Sequence, residues 1–259
     1  MTTLSTPIEF FKKEAKKLFR QVQANDAEAL AHVQRVLKDT TDVSLMRVQH
    51  VVAIDYGFPK WEDLIRANPV ELHLAITMAK EPLLNDFGIG IYDGHRRLPK
   101  EERDAIFTKN RKVLRESVNA IAKTIVWLQA RVIPIKTINT NQSSYRYKHL
   151  AEKDIGYITN GVFIAAAIIA GYPYKISDGP NVMFGMSEKS IKETEKVHQS
   201  RSRDPNPTGT PLGNFFRGPG IIPTPPHLAA LADMFDSMTM EEQRRYLDED
   251  ARAMGLFNR

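Results

Sequence analysis

Apolar residues recur at helical spacing from the start of the chain. Ile8, Phe11, Ala15, Leu18, Phe19 and Val22 fall on one face, and Lys12, Lys13, Lys16, Lys17 and Arg20 fill much of the rest. That pattern predicts an amphipathic helix lying on a core. Pro7 suits its first turn. Asn25-Asp26 interrupts the pattern, and Asp26 can cap a second helix running through Lys38. Ser44 can cap a third over Leu45–Tyr56, ended by Gly57, and Pro59 fits the start of a short helix over Lys60–Ala67. Val70–Lys80 predicts a further helix, broken by Pro82. Asn85–Arg97, with three glycines, reads as a loop.

The most regular pattern follows. Phe107, Leu114, Ile121 and Leu128 repeat every seven residues, with Val118, Ile125 and Val132 as a companion row. Together they predict one helix over Glu101–Val132, roughly 45 Å long, whose stripe is also long enough for a dimer seam. Glu101, Glu102 and Asp104 open it and Arg131 closes it, as the helix dipole favours. Pro134 stops it. Ile133–Ile138, Tyr172–Ser177 and Val182–Met186 predict short strands. They bracket two short helices, a polar, basic and aromatic one within Asn139–Lys153 and an apolar one over Val162–Ala170, separated by turn residues Gly156 and Asn160-Gly161. Ser187 or Ser190 can cap a charged helix through Val197. Residues 204–226 hold seven prolines and four glycines in 23 positions, which marks an extended arm. A helix over His227–Met238 and a Thr239-x-x-Glu242 capping box then predict a helical tail.

The fold expected from these patterns is mainly α and bundle-like, with one long central helix and a small α+β unit. Its divisions are an N-terminal helical module (1–68), a central domain (69–203) holding the long helix and a mixed unit (133–200), the arm (204–226) and the tail (227–259). The chain has no cysteine, so disulfides and thiolate metal sites are excluded. The N-terminus lacks the apolar core of a secretory signal, and the apolar run at 162–170 is about half a membrane crossing. No membrane association is expected, and the expected location is cytoplasmic.

Charge sharpens the picture. The net charge is +5, with 12 Lys/Arg against 8 Asp/Glu in residues 71–136 and 5 against 8 in residues 204–259. A basic middle and an acidic tail hint at a polyanionic partner or at a tail that folds back. Nucleic-acid binding asks for cations, planar stacking groups and amides. Asn139, Asn141, Gln142, Tyr145, Arg146, Tyr147, Lys148 and His149 supply all three within 11 residues. The apolar helix after them has no polar side chain to touch a base, so it is expected to be buried support. Lys12, Lys16, Lys109 and Lys112 are secondary cations. The competing reading places Tyr145 and Tyr147 in the core, with Arg146 and Lys148 merely solvated.

Catalytic patterns fail on spacing. Lys148 lies four residues after Ser144 and five after Ser143, so there is no Ser-x-x-Lys. Tyr145-x-x-Lys148 is one residue short of a dehydrogenase pair, and Gly88, Gly90 and Gly94 form no dinucleotide fingerprint. His149 and Glu152 have no further ligand at metal-binding spacing. Asp93 and His95 are the best remaining acid–base candidates. A non-catalytic protein without cofactor or metal is expected.

Two resemblances add to this. The helix ending His50-Val51-Val52-Ala53-Ile54-Asp55-Tyr56, followed by Gly57-Phe58-Pro59-Lys60-Trp61-Glu62-Asp63-Leu64, resembles a small bacterial helical module with a Gly-Phe-x-x-Trp-x-x-Leu turn, over residues 8–68. The resemblance carries no activity; Phe58, Trp61 and Leu64 are expected to fold back as a hydrophobic clasp. Ser143-Ser144-Tyr145, Lys148-His149, Glu152, Ile155-Gly156-Tyr157, Asn160-Gly161, Phe163 to Ala167, Gly171, Gly179-Pro180-Asn181 and Ser187 resemble uncharacterised bacterial plasmid- and phage-borne proteins, over residues 137–190. That resemblance implies an accessory or regulatory protein of a mobile element, and such proteins often act on nucleic acid or on a host protein. The leading expectation is non-catalytic nucleic-acid association. The alternative is a protein-interaction module, a dimeric inhibitor or adaptor using the 107–132 stripe or Phe215, Phe216, Ile221 and Ile222 of the arm. An unrecognised enzyme is third.

Overall fold

A computed structural model describes residues 7–40, 42–177 and 179–201. Among these residues the chain is mainly α with two small antiparallel hairpins, and it divides into two compact units, Met1–Pro82 and Leu83 onward. The arm, with Phe215, Phe216, Ile221 and Ile222, and the helical tail lie outside the described residues.

The first unit comprises α1 (Ile8–Gln23), α2 (Ala27–Gln34), α3 (Leu45–Asp55), α4 (Trp61–Arg66) and α5 (Pro69–Lys80). Its boundaries follow local chemistry. Asn25 adopts φ 57°, the short polar residue that best tolerates the left-handed region, and ends α1. The Asp26 carboxylate accepts the Ala29 N–H at 2.9 Å, and the Ser44 hydroxyl accepts that of Arg47 at 3.4 Å. Gly57 turns the chain at φ 81° so that Phe58 N–H can donate to Ala53 C=O at 2.8 Å. The expected clasp forms: Phe58 and Leu64 are buried, and Trp61 packs partly buried against the same core of Phe11, Val33, Val48, Val51 and Val52. The unit extends past residue 68, because Leu72 and Ala75 of α5 complete that core. Asn68 caps α5 by accepting the Glu71 N–H at 2.9 Å, with Pro69 in the first turn.

The second unit starts with a minimal hairpin of β1 (Leu84–Asn85) and β2 (Gly88–Ile89) where a plain loop is expected. Next come α6 (Lys100–Glu116), α7 (Val118–Arg131), α8 (Ser144–Ile155), α9 (Asn160–Ile169), the hairpin β3 (Tyr174–Ile176) with β4 (Val182–Phe184), and α10 (Glu188–Arg201). The single long helix expected over Glu101–Val132 is two helices. The backbone turns at Ser117 (φ −86°, ψ 29°), whose hydroxyl donates to Val113 C=O at 2.8 Å. A serine bonded back into the preceding turn bends a helix without disturbing the seven-residue spacing on either side. Leu114, Ile121 and Leu128 are each fully buried within their own unit, so these positions of the stripe belong to its core, while Phe107 and Val118 are half-buried. The strand expected at Ile133–Ile138 reduces to a bridge between Pro134 and Met186, since proline has no N–H to offer a ladder. The segment still runs beside β4: Ile135 N–H donates to Gly185 C=O at 2.8 Å and Asn139 N–H to Phe184 C=O at 3.0 Å.

α9 is the spine of this unit. Val162 through Ala167 are all buried, and α9 packs on both α7 and α8. Small residues let these backbones approach closely. The first hairpin sits on the start of α9, where Gly161 N–H donates to Asp86 C=O at 2.9 Å and a Cβ on Gly161 would overlap the Asn85 carbonyl. Tyr172 locks the other end: its buried hydroxyl lies 3.0 Å from Leu128 C=O and 2.6 Å from Val132 C=O, where α7 runs out of N–H partners. A buried carboxylate ties three helices together. Asp154 of α8 accepts the Trp127 indole N–H of α7 at 2.8 Å and lies 3.3 Å from His198 Nε2 of α10. Burial works to raise the Asp154 pKa, but His198, the Trp127 N–H and Arg131 outweigh it and hold the carboxyl below the ordinary aspartate value.

Two outcomes are expected. Tyr172→Phe leaves the end of α7 without a hydroxyl partner and lowers unfolding stability by about 1–2 kcal/mol, read from the denaturant midpoint. Asp154→Asn costs about 3–5 kcal/mol at neutral pH by breaking a buried charge set. Because the folded pKa of Asp154 lies below the unfolded one, its contribution is complete above the ordinary aspartate range and is lost as pH falls through the folded value. Acid denaturation curves of the wild type therefore carry a step that the Asn variant lacks.

Candidate functional site

The residues expected to touch nucleic acid begin just before α8. Asn141 is exposed, and its N–H donates to the Asn139 side chain at 3.0 Å, shaping the approach to the helix; Gln142 is half-buried. Helical spacing then separates the remaining four. Tyr145 is 54% exposed, whereas Tyr147 is fully buried and stacks on Phe163 of α9 at 6.3 Å. Tyr147 is therefore a core residue with no face left for a base. Burial, then the nearby Glu188 carboxylate, pushes its phenol up to about 12.

Arg146 and Lys148 of α8 are already matched. Arg146 is exposed, but its guanidinium donates to Glu195 of α10 at 2.8 Å, and that bond raises its pKa. Lys148 is only 5% exposed, and its ammonium bonds Glu152 at 2.5 Å. A charge within hydrogen-bonding reach of its counter-charge contributes little field at the surface. The short stretch that looks most like a binding face in sequence is thus largely neutralised in space.

The secondary cations stand differently. On α1 the buried stripe Phe11, Ala15, Leu18 and Val22 points inward, and Lys12, Lys13, Lys16, Lys17 and Arg20 are all exposed on the other side. Lys12, Lys16 and Arg20 follow one row at four-residue spacing, with Lys13 and Lys17 on the next. The acid within that face is Glu9, which pairs with Lys12 at 2.8 Å and whose pKa is lowered by that bond. Glu14 lies on the flank, beside a cleft of about 340 Å³ also lined by Lys17, His32, Asp55 and Tyr56. His32 and Asp55 meet there at 2.7 Å, so the cleft carries both signs of charge. The excess of positive charge lies on the helix face, not in the cleft.

In the second unit, Lys109 and Lys112 are exposed on α6, Lys112 lying 3.8 Å from Glu116. Arg111 between them is structural, donating to Leu84 C=O at 2.9 Å. Asp93 bonds Arg96 at 2.8 Å and His95 packs edge-on to Tyr92. These acid–base candidates therefore point to partners of their own short turn. Among the described residues no three His, Asp or Glu side chains gather to hold a metal ion, and no helix is long and apolar enough to cross a membrane.

One arrangement was not visible in the sequence. Asp86, in the turn between β1 and β2, receives the Thr159 hydroxyl at 2.7 Å, and burial raises its pKa despite that bond. Thr159 in turn caps α9 by accepting the Val162 N–H at 3.2 Å. Residues 73 apart in sequence meet here, and Asp86-Phe87-Gly88 contains no spacing that would have signalled it. Comparison with family models, curated proteins and solved structures finds no match to this chain.

Buried Tyr147 carries a pH signature. Its folded value lies above the ordinary value of 10.0, so its contribution is intact below pH 10 and is lost as pH rises towards 12. Tyr147→Phe is expected to resist alkaline unfolding, retaining about 2–3 kcal/mol that the wild type loses over this interval. Denaturant titrations at stepped alkaline pH measure the difference.

Proposed function

We propose that this protein is a non-catalytic nucleic-acid-associated protein, of the accessory or regulatory kind carried by bacterial mobile elements. The observation that carries the reading is the cationic face of α1, with five exposed cations and Glu9 as its counter-charge. A row of cations at one-turn spacing matches the demand of a phosphate backbone, which binds through charge and counterion release rather than through shape. With Arg146 and Lys148 held in ion pairs, the proposal rests the phosphate contacts on Lys12, Lys13, Lys16, Lys17 and Arg20. Lys109, Lys112 and Asn141 remain exposed as supplementary contacts. The resemblance of residues 137–190 to plasmid- and phage-borne proteins supports the accessory reading. A protein-interaction role would rest on Phe215, Phe216, Ile221 and Ile222 of the arm, or on the half-buried Phe107 and Val118 of the 107–132 stripe.

The test is binding to a DNA duplex as a function of salt. Affinity is expected to fall steeply, with a log–log slope of about −0.9 per phosphate neutralised. Replacing Lys13, Lys16, Lys17 and Arg20 together by Ala is expected to flatten that slope by about 3 and to weaken binding at low salt. Arg146→Ala is expected to change it by less than about one slope unit. A slope that the α1 variant leaves unchanged would overturn the assignment, with helix content checked by circular dichroism.

A further inference from the structure

Beside the buried Lys148, three aromatic rings stand in solvent. Tyr145 is 54% exposed and Tyr157 is 62% exposed, and the His149 side chain is 48% exposed. They converge: the His149 ring meets Tyr145 edge-on at 4.4 Å, and the Lys148 ammonium lies 5.8 Å from the Tyr145 ring centre and 5.0 Å from that of Tyr157. A single carboxylate organises the group. Glu152 Oε1 accepts from Lys148 at 2.5 Å and from the Ile158 N–H at 3.3 Å, and Oε2 bonds His149 Nδ1 at 2.6 Å. Tyr157 precedes Ile158 and follows Gly156, whose φ of 79° ends α8 and begins the turn that carries the ring.

We propose that Tyr145, His149 and Tyr157 form a stacking platform for unpaired nucleobases, so that the nucleic acid bound by this protein includes a single-stranded segment. This rests on the nucleic-acid reading above and specifies its form. The chemistry of the site selects the occupant. The Lys148 charge among the rings is met by Glu152, so the ring cluster itself is not a cationic pocket for a free phosphate or carboxylate. What it offers is ring surface: Glu152 fixes His149, Lys148 and the turn that carries Tyr157, and Tyr145 rests on His149. A neutral planar ring suits that surface, because stacking needs a π-face and no counter-charge. Lys153, exposed and four residues beyond His149, continues the Tyr145–His149 row and supplies a cation beside it for the backbone of the same strand. Duplex DNA keeps its bases inside the stack, so only an unpaired strand presents them to such a platform.

The test compares two 20-mers of equal charge on the full chain: oligo(dA) and an abasic phosphodiester strand. Oligo(dA) is expected to bind about tenfold or more tightly than the abasic strand. Tyr145→Ala and Tyr157→Ala are expected to erase most of that difference while leaving abasic binding unchanged, and Tyr145→Phe is expected to preserve it. Unchanged abasic binding also reports that each variant is folded. Equal, salt-dependent binding of both strands by the wild type would overturn the platform and leave the cationic α1 face standing. A preference for oligo(dA) that depends on the tyrosines but not on the α1 cations would support the platform and overturn the α1 assignment. Binding of neither strand would overturn both.

Discussion

The carboxylate of Asp154 sits inside the second unit, and α7, α8 and α10 are arranged around keeping it charged. An isolated buried carboxylate costs several kcal/mol, which only close donors can return. Here the donors come from different helices: the Trp127 indole from α7 and the His198 ring from α10, with Arg131 adding its field. Apolar packing alone would let these helices slide or rotate, because it is indifferent to direction. A charged acceptor with an indole N–H at 2.8 Å is not indifferent. α8 is thereby set in one rotation, and that rotation sends Tyr147 inward and leaves Tyr145 and His149 outside.

The same rotation explains why a dense basic-aromatic stretch does not make a basic surface. In sequence, Arg146 and Lys148 are neighbours of tyrosines and amides. In the fold, each is nearer to an acid from elsewhere, Glu195 on the next helix but one and Glu152 one turn on. α1 has the opposite economy. Its acids are few and its buried stripe is narrow, so five cations remain on one side. Local composition reports which charges are present; whether they project a field depends on what folds against them.

Much of the first unit was legible because its signals are local. Asp26, Ser44, Asn68 and Gly57 each act on backbone within a few residues, and the helix limits they mark are close to those observed. The Gly-Phe-x-x-Trp-x-x-Leu clasp was legible for the same reason. The break at Ser117 was not, since an unbroken seven-residue rhythm passes through it and a serine hydroxyl bonded to Val113 leaves no mark in the pattern. The candidate site was legible only in part. Exposure of Tyr145 and burial of Tyr147 follow from the rotation of α8 that the distant Asp154 partners set, and the meeting of Asp86 with Thr159 depends on a contact across 73 residues. Tyr157 lies between the basic-aromatic run and the apolar run and belongs to the pattern of neither.

Glu152 gives the outer face of α8 a property that single side chains do not have. Its two oxygens serve a side chain one turn back, a ring three residues back and a backbone N–H six residues on. Loss of any one donor frees lone pairs that the others must share. Substitutions at Lys148, His149 and the Tyr157–Ile158 turn are therefore energetically coupled, with pair terms of about 0.5–3 kcal/mol in place of simple sums. A single change at Glu152 would release the Lys148, His149 and Ile158 donors together, and through them loosen the settings of Tyr145 and Tyr157.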